Sequence, residues 1–499
     1  SSILFTCSHL IMIKRPNKEA TKPLKKQKLP EITFSQDKDI DLYSISSSEH
    51  SGTYILEGLK EVNFKGLSSQ MPNPVQHKRL EETQNPYFKL LANYPDSYIL
   101  NTSNSQKQSI SEALVLHILN HIYKLKSKVQ QNTSLKDPPK DQGFNPAQVL
   151  VLFPYKEQAK EFLDLVIKFH CKDKKKKLNS TSSQKYNETF GDEEENKVSD
   201  AFKFGVCVGD KRELSLYTPF VKSDIIVASP LSLKQAVSEP NLGILCSVQI
   251  VVLVEAQEFI MQNWDHIEDI FKAMNKLPDR DSVTVDLNRI MDVFLDQNSA
   301  DFRQLIITSK LQTPLLMSLF NRSKRPKART IEHYEGVVST SPSQTFRKFQ
   351  VSTFQDTPDL RFKYFTESYW PNVKEDLSPQ SVVFVESYLE YVRVREYLEE
   401  YDPGVLCVSE YTPKPQRQRS FAYVKSAKNK ALCITERLIY FRNPKISKIG
   451  HLVFYSLPEN PEIYTKLVEV AEQVTAVFCK FDGYCLQRIV GDKRAAKML

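Results

Sequence analysis

Glycine is scarce in this chain, 13 in 499 residues, and none of it opens a Gly-Lys-Ser or Gly-Lys-Thr triplet. A loop that wraps nucleotide phosphates needs glycines so that its backbone amides can approach them. Hydrolysis of a nucleoside triphosphate on such a loop therefore has no support. The eight cysteines, at 7, 171, 207, 246, 407, 433, 479 and 485, include no pair two residues apart. This excludes a zinc knuckle and a disulfide framework, and no metal is expected. No run approaches the ~20 apolar residues that span a bilayer, so no membrane partner is expected. The apolar opening, Ile3–Ile13, is short and lacks a basic leader, so it is not read as a signal peptide. Because Met12 stands just before a basic run, residues 1–11 are expected to lie upstream of the true start.

What is present is a neutral body with a basic tail. Of the net +8, residues 1–30 contribute +6, from seven Lys/Arg against Glu19 alone. Lys14, Arg15, Lys25, Lys26 and Lys28 form a basic pair and a basic cluster about ten residues apart, the layout of a bipartite nuclear import signal. Residues 1–80 are expected to form a basic, largely disordered N-terminal arm. Regular structure is expected from Asn85 onward, with an amphipathic helix over 109–126. The stretch 171–200, a basic block followed by Ser/Thr/Asn and an acidic block, predicts a mobile surface insertion.

Short β-branched runs alternate with helical stretches: 148–153, 202–207, 224–228, 249–254 and 304–308, then, past a linker around 322–350, 381–385, 404–408, 431–435, 451–456 and 475–479. Such runs indicate parallel strands buried on both faces. Two series in tandem predict an α/β chain of two parallel-sheet domains, at 81–335 and 336–499.

In such domains functional loops follow the carboxyl ends of strands. Read in order, those loops are Pro154-Tyr155-Lys156-Glu157-Gln158, then Ser229-Pro230, then Glu255-Ala256-Gln257-Glu258, then Thr308-Ser309, and in the second series Thr435-Glu436-Arg437. Their order and placement resemble the motifs of superfamily 2 helicases of the DEAD-box type. That resemblance implies two tandem RecA-like lobes.

The departures from that pattern point away from catalysis. Thr102–Lys107, where the phosphate loop belongs, has no glycine. In the acidic box the carboxylate that orients the attacking water is replaced by Ala256, which can accept no proton. The loop after 451–456, Leu457–Glu462, contains no arginine to reach across the cleft. Glu255 and Glu258 remain as acids at a strand end.

A closer resemblance is carried by SDIIVASPLSLK (Ser223–Lys234), FIMQNWDHIEDIF (Phe259–Phe271), SEYTPKPQRQRSFAYV (Ser409–Val424), ITERLIYFR (Ile434–Arg442), HLVFYSLPENPEIY (His451–Tyr464) and LQRIVGDKRAAKM (Leu486–Met498). These strings are similar to the digestive organ expansion factor family, helicase-like proteins associated with the U-three small nucleolar RNA. The resemblance implies a nucleolar, non-enzymatic component of the small-subunit processome, without a cofactor. Its implied partners are pre-ribosomal RNA, the U-three ribonucleoprotein and other processome proteins. The competing reading is an active RNA helicase with a divergent nucleotide site.

Among single residues, Arg417, Arg419, Arg437 and Arg442 are candidate contacts to RNA or a partner, against a solvated surface or inter-lobe salt bridging. Trp264 is either a core anchor or a partner anchor. His117 and His121 have ligand spacing but no third ligand, which favours ordinary histidines.

Overall fold

The computed structural model describes residues 50–55, 61–67 and 85–499, apart from 101–103, 172–179, 191–198, 210–212, 238–241, 279–282, 284, 298, 324, 332, 339–340, 376–377 and 427–430. The import-signal residues and residues 1–11 lie outside the described residues.

The first lobe is built on β1 (His50–Ile55), β2 (Glu61–Leu67), β3 (Asp96–Leu100), β4 (Val149–Leu152), β5 (Lys203–Val208), β6 (Leu214–Thr218), β7 (Ile225–Ala228), β8 (Ile250–Leu253), β9 (Gln304–Ser309) and β10 (Lys327–Thr330). They form one sheet in the order β1-β2-β10-β3-β9-β8-β4-β7-β5-β6. From β10 to β7 every pairing is parallel.

Alternation along these strands sorts their side chains to two faces. Val149 and Val151 join the core beneath helices Asn104–Thr133 and Lys156–His170. Leu150 and Leu152 join the opposite core with Leu233, Ile267 and Leu316. Each such buried aliphatic contributes roughly 1.5–3 kcal/mol. Helix Lys156–His170 buries Phe162, Leu163, Val166 and Ile167, the spacing of one helical face.

The second lobe carries β11 (Ser343–Lys348), β12 (Ser381–Val385), β13 (Val405–Val408), β14 (Ala431–Thr435), β15 (Ile449–Phe454) and β16 (Ala471–Phe478). All pair in parallel, in the order β11-β16-β15-β12-β14-β13. Both lobes are thus the expected RecA-like α/β sheets clad by helices on both faces.

Several local expectations are corrected. The 202–207 run is β5, which pairs antiparallel with β7 and with β6, so the sheet is mixed at that edge. Within the expected arm, β1 and β2 form an antiparallel pair, and β2 extends the sheet through β10. Inside the expected mobile insertion, helix Ser180–Phe190 is docked: Phe190 is buried, 6.0 Å from Phe204 and edge-on, and Tyr186 donates to Asp164 at 2.6 Å. Two aromatics four apart on a helix share one face, which anchors it. The expected linker contains β10 and β11. The helix expected over 109–126 runs from Asn104 to Thr133.

The strap between the lobes is stapled to the second. Val337 and Val338 donate to the Ile489 carbonyl at 2.7 and 3.1 Å, and Asp492 N donates to Tyr334 O at 2.9 Å. Gly336 (φ +88°) and Gly491 (φ +86°) lie against each other there, in backbone conformations that a side chain resists.

Candidate functional site: the cleft between the lobes

The first lobe meets the second at a cleft through residues that follow β4, β8 and β9, namely Tyr155, Gln262 and Gln312. Glu255 ends β8 in a left-handed conformation (φ +48°), costly for a residue with a side chain. Thr308 holds it there: its hydroxyl accepts from Glu255 N at 3.1 Å and its carbonyl accepts from Ala256 N at 2.8 Å. Ser309 Oγ donates to Gln257 Oε1 at 3.0 Å, and the same oxygen accepts from Lys310 N at 3.0 Å. The acidic box and the Thr308-Ser309 loop therefore form one unit, as their order in the sequence implies.

Both oxygens of the Glu255 carboxylate are occupied. Lys107 Nζ lies 2.7 Å from Oε1, and Gln158 Nε2 donates to Oε2 at 2.6 Å. Lys107 comes from the first turn of helix Asn104–Thr133, directly after β3, where a phosphate-binding lysine would stand. The pocket among Lys107, Gln158, Glu161, Val151, Phe153 and Val254 measures about 20 Å³, roughly the room of one water. Among the described residues no group of three or more His, Cys, Asp and Glu is poised to hold a metal ion.

Ala256 is buried and offers no polar atom. Glu258 is pushed up to about 7, by burial first, against a hydrogen bond from Gln257, with Glu255 and Glu462 adding repulsion and Lys310 opposing it. Ser229 is fully buried; its hydroxyl accepts from Ser232 N at 3.2 Å at the start of helix Pro230–Val237. Pro154 offers its carbonyl to Gln262 Nε2 at 3.0 Å, and Lys156 starts its helix with Nζ 6.0 Å from the Phe190 ring centre.

On the second lobe, Thr435 caps helix Glu436–Arg442 by accepting from Leu438 N at 3.1 Å, and donates to Glu410 at 2.7 Å. The buried Glu436 carboxylate accepts from Glu459 N at 3.1 Å and Asn460 N at 3.0 Å. Burial pushes its pKa up to about 8, more than those two amide bonds pull it down. Arg437 lies beside Glu410 (3.5 Å) and donates across the cleft to Gln262 O at 3.1 Å. Inter-lobe bridging therefore accounts for Arg437. Arg442 is exposed, and Arg417 and Arg419 sit on helix Lys414–Lys425, away from these contacts.

A second arginine crosses the cleft from a place where the chain offered no reason to look for one. Arg488, from helix Gly483–Val490, is buried and donates to Gln312 O of the first lobe at 2.7 Å and to Glu459 at 2.6 Å. The loop after β15 does lack arginine; the guanidinium arrives from the helix after β16. Tyr155 and Tyr440 also meet across the cleft, oxygen to oxygen at 2.6 Å. Lys107 and Arg488 lay inside stretches already singled out, but only the fold reveals their partners.

Trp264, His117 and His121 have partners within the first lobe. Trp264 packs against the first-lobe core and donates to Glu268 at 3.0 Å, and Glu268 in turn takes both terminal nitrogens of Arg322. His117 meets Gln304 at 2.8 Å and His121 meets the Tyr94 hydroxyl at 3.0 Å, so both are core histidines.

Comparison with known proteins agrees with this geometry. Residues 94–328 match the description "UTP25, NTP hydrolase-like domain" and residues 336–499 match "Utp25, C-terminal domain". The Schizosaccharomyces pombe protein "U3 small nucleolar RNA-associated protein 25" is 30% identical over 482 residues, covering 88% of this chain and 73% of that one. The chain belongs to the UTP25 family. The Neurospora crassa protein of the same name is 29% identical over 506 residues, 91% of this chain and 66% of that protein, so this chain spans about two thirds of its length. Solved structures similar to this UTP25-family chain include the yeast DEAD-box splicing factor Prp28 (14% identity, 84% of each chain, TM-score 0.31). Another is S. cerevisiae Dbp5 bound to RNA and ADP BeF3 (12%, 81% of this chain and 88% of that one, TM-score 0.29). At overlays so loose, the fold rests on the strand order itself.

Proposed function

We propose that this chain is a non-catalytic, helicase-shaped component of a nucleolar small-subunit processome, supporting pre-ribosomal RNA processing. The name carried by its relatives supports the U3-associated setting. One observation carries the non-catalytic part: the Glu255 carboxylate is tied by Lys107 and Gln158, and beside it stands Ala256. The cation that would meet a phosphate is neutralised by a carboxylate, and the acid that would receive water's proton is missing.

An ATPase assay on the purified chain with RNA tests this. The expected result is turnover no higher than that of the Glu255→Gln variant. RNA-stimulated turnover that Glu255→Gln abolishes would establish the active-helicase reading instead.

Within that role, the partners are pre-ribosomal RNA and the U3 ribonucleoprotein with its proteins, and the basic pair and cluster at 14–28 serve nuclear import. RNA backbone is met by helix Lys414–Lys425, which carries Lys414, Arg417, Arg419 and Lys425 and no carboxylate. No ion pair joins these four to an acid among the described residues. Arg442 is proposed to extend the same contact.

A further inference from the structure

In a working helicase a nucleotide draws the two lobes together, so a non-catalytic cleft, as proposed above, needs another source of closure or none at all. Four polar contacts between side chains or carbonyls of the two lobes cross this cleft among the described residues. Arg488 Nη1 donates to Gln312 O at 2.7 Å. The Gln312 side chain donates to the Tyr484 hydroxyl at 3.3 Å. Arg437 donates to Gln262 O at 3.1 Å, and Tyr155 meets Tyr440 at 2.6 Å. Two of the four crossings start from helix Gly483–Val490.

The same helix anchors the strap. Ile489, next to Arg488, accepts from both Val337 N and Val338 N, and the Gly336–Gly491 contact lies two residues further on. Arg488 is itself set rigidly. Its other terminal nitrogen is held by Glu459, whose backbone amide, with that of Asn460, is held by the Glu436 carboxylate. A guanidinium fixed on two sides in a buried place presents its remaining prong in one direction, so little side-chain entropy is lost when the first lobe docks on it. The prong meets a backbone carbonyl, a strong acceptor whatever side chain surrounds it.

We propose that the lobes form a clamp that is closed without nucleotide, latched by Arg488 on the Gln312 carbonyl and hinged on the strap at helix Gly483–Val490. Arg437 and the Tyr155–Tyr440 pair add two further contacts between the lobes. The clamp extends the non-catalytic reading by naming what holds the lobes together.

Single-molecule energy transfer on the full chain tests it, with dyes coupled through non-natural residues at the exposed positions Leu135 and Leu389, one on each lobe. The expected wild-type distribution is one narrow population, unchanged by saturating magnesium-ATP or a non-hydrolysable analogue. Arg488→Gln should raise the open population at least fivefold. Tyr155→Phe with Tyr440→Phe, which strips one bond without disturbing a buried charge, should raise it about twofold and guards against a misfolded arginine variant. The clamp is overturned if the wild type spans open and closed states without nucleotide, or narrows only when nucleotide is added. It is equally overturned if both variants, folded by circular dichroism, leave the distribution unchanged. ATP turnover on the same samples reads the other question: turnover by a closed wild type would sink the non-catalytic reading and leave the clamp, whereas an open wild type without turnover would do the reverse.

Discussion

The two lobes hold a buried strand-end carboxylate by opposite chemistry. In the first, the carboxylate after β8 is held by side chains, the Lys107 ammonium and the Gln158 amide. In the second, the carboxylate after β14 is held by backbone, the amides of Glu459 and Asn460. The electrostatic consequences differ. Glu255 faces a full positive charge, whereas Glu436 sits deep, with Glu459 nearby, and keeps its proton to higher pH. In a helicase both strand ends would face phosphates and water. Here each is closed by internal partners, a cation in one lobe and a polypeptide loop in the other.

The contrast is broken most directly at Lys107. Replacing it with Met would leave the buried Glu255 carboxylate with only a neutral amide. That should lower first-lobe stability by about 2–3 kcal/mol, somewhat under the usual cost of orphaning a buried ion because Lys107 is partly exposed. Adding Glu255→Gln should restore most of the loss, and denaturant melts of the two single variants and the double variant check it. Losses that simply add would mean the pair is not a closed unit.

The strap on the second lobe offers a smaller test. Gly491→Ala would place a methyl 2.4 Å from the Glu335 carbonyl oxygen at a φ of +86°. The expected cost is about 1–3 kcal/mol, and the transition it lowers should be that of the second lobe. A thermal melt in which the first lobe alone shifts would contradict the strap's attachment.

The smallest effect, and the sharpest for the contrast, is pH. Burial pulls His117 down to about 4 and His121 well below its ordinary value, so both are neutral in the folded first lobe. The unfolded chain takes up their protons below about 6.5. This stabilisation is therefore complete above that pH and is lost as pH falls toward 4, by on the order of 1–2 kcal/mol for each histidine between pH 6.5 and 5. Glu436 runs the other way: the folded lobe binds a proton that the unfolded chain releases above about 4.5, so its contribution declines as pH rises through about 8. Hydrogen-exchange protection factors should therefore fall on acidification in helix Asn104–Thr133 while rising around Glu436–Arg442. Glu436→Gln should flatten only the second trend. Parallel drift in both lobes would erase the distinction.

How far these features were legible follows burial. β4, β7, β8, β12 and β14 read as strands because they are β-branched and buried on both faces. β3 was overlooked although it lies inside the sheet, because Asp96-Ser97 opens it. Asp96 is tolerated there only because it accepts from Leu305 N and lies 3.4 Å from Arg325, partners more than 200 residues away. The polar strands β6, β10 and β11 were silent for a related reason: they lie at or near sheet edges, where alternation is weak. At the cleft, the order of the strand-end loops, the scarcity of glycine and Ala256 between Glu255 and Gln257 stood open in the chain. The latch did not, since Arg488 lies outside the loop where a crossing arginine was sought.

Composition and local pattern alone determined that this protein has two α/β series and no Gly-Lys-Ser or Gly-Lys-Thr triplet to open a phosphate loop, since these depend on residue type and short-range period. Which groups fill the emptied cleft was decided only by the tertiary structure. Lys107 meets Glu255 across 148 positions of sequence and Arg488 meets Gln312 across 176. An ion pair or a hydrogen bond acts over a few ångströms of space, and distance along the chain does not enter it.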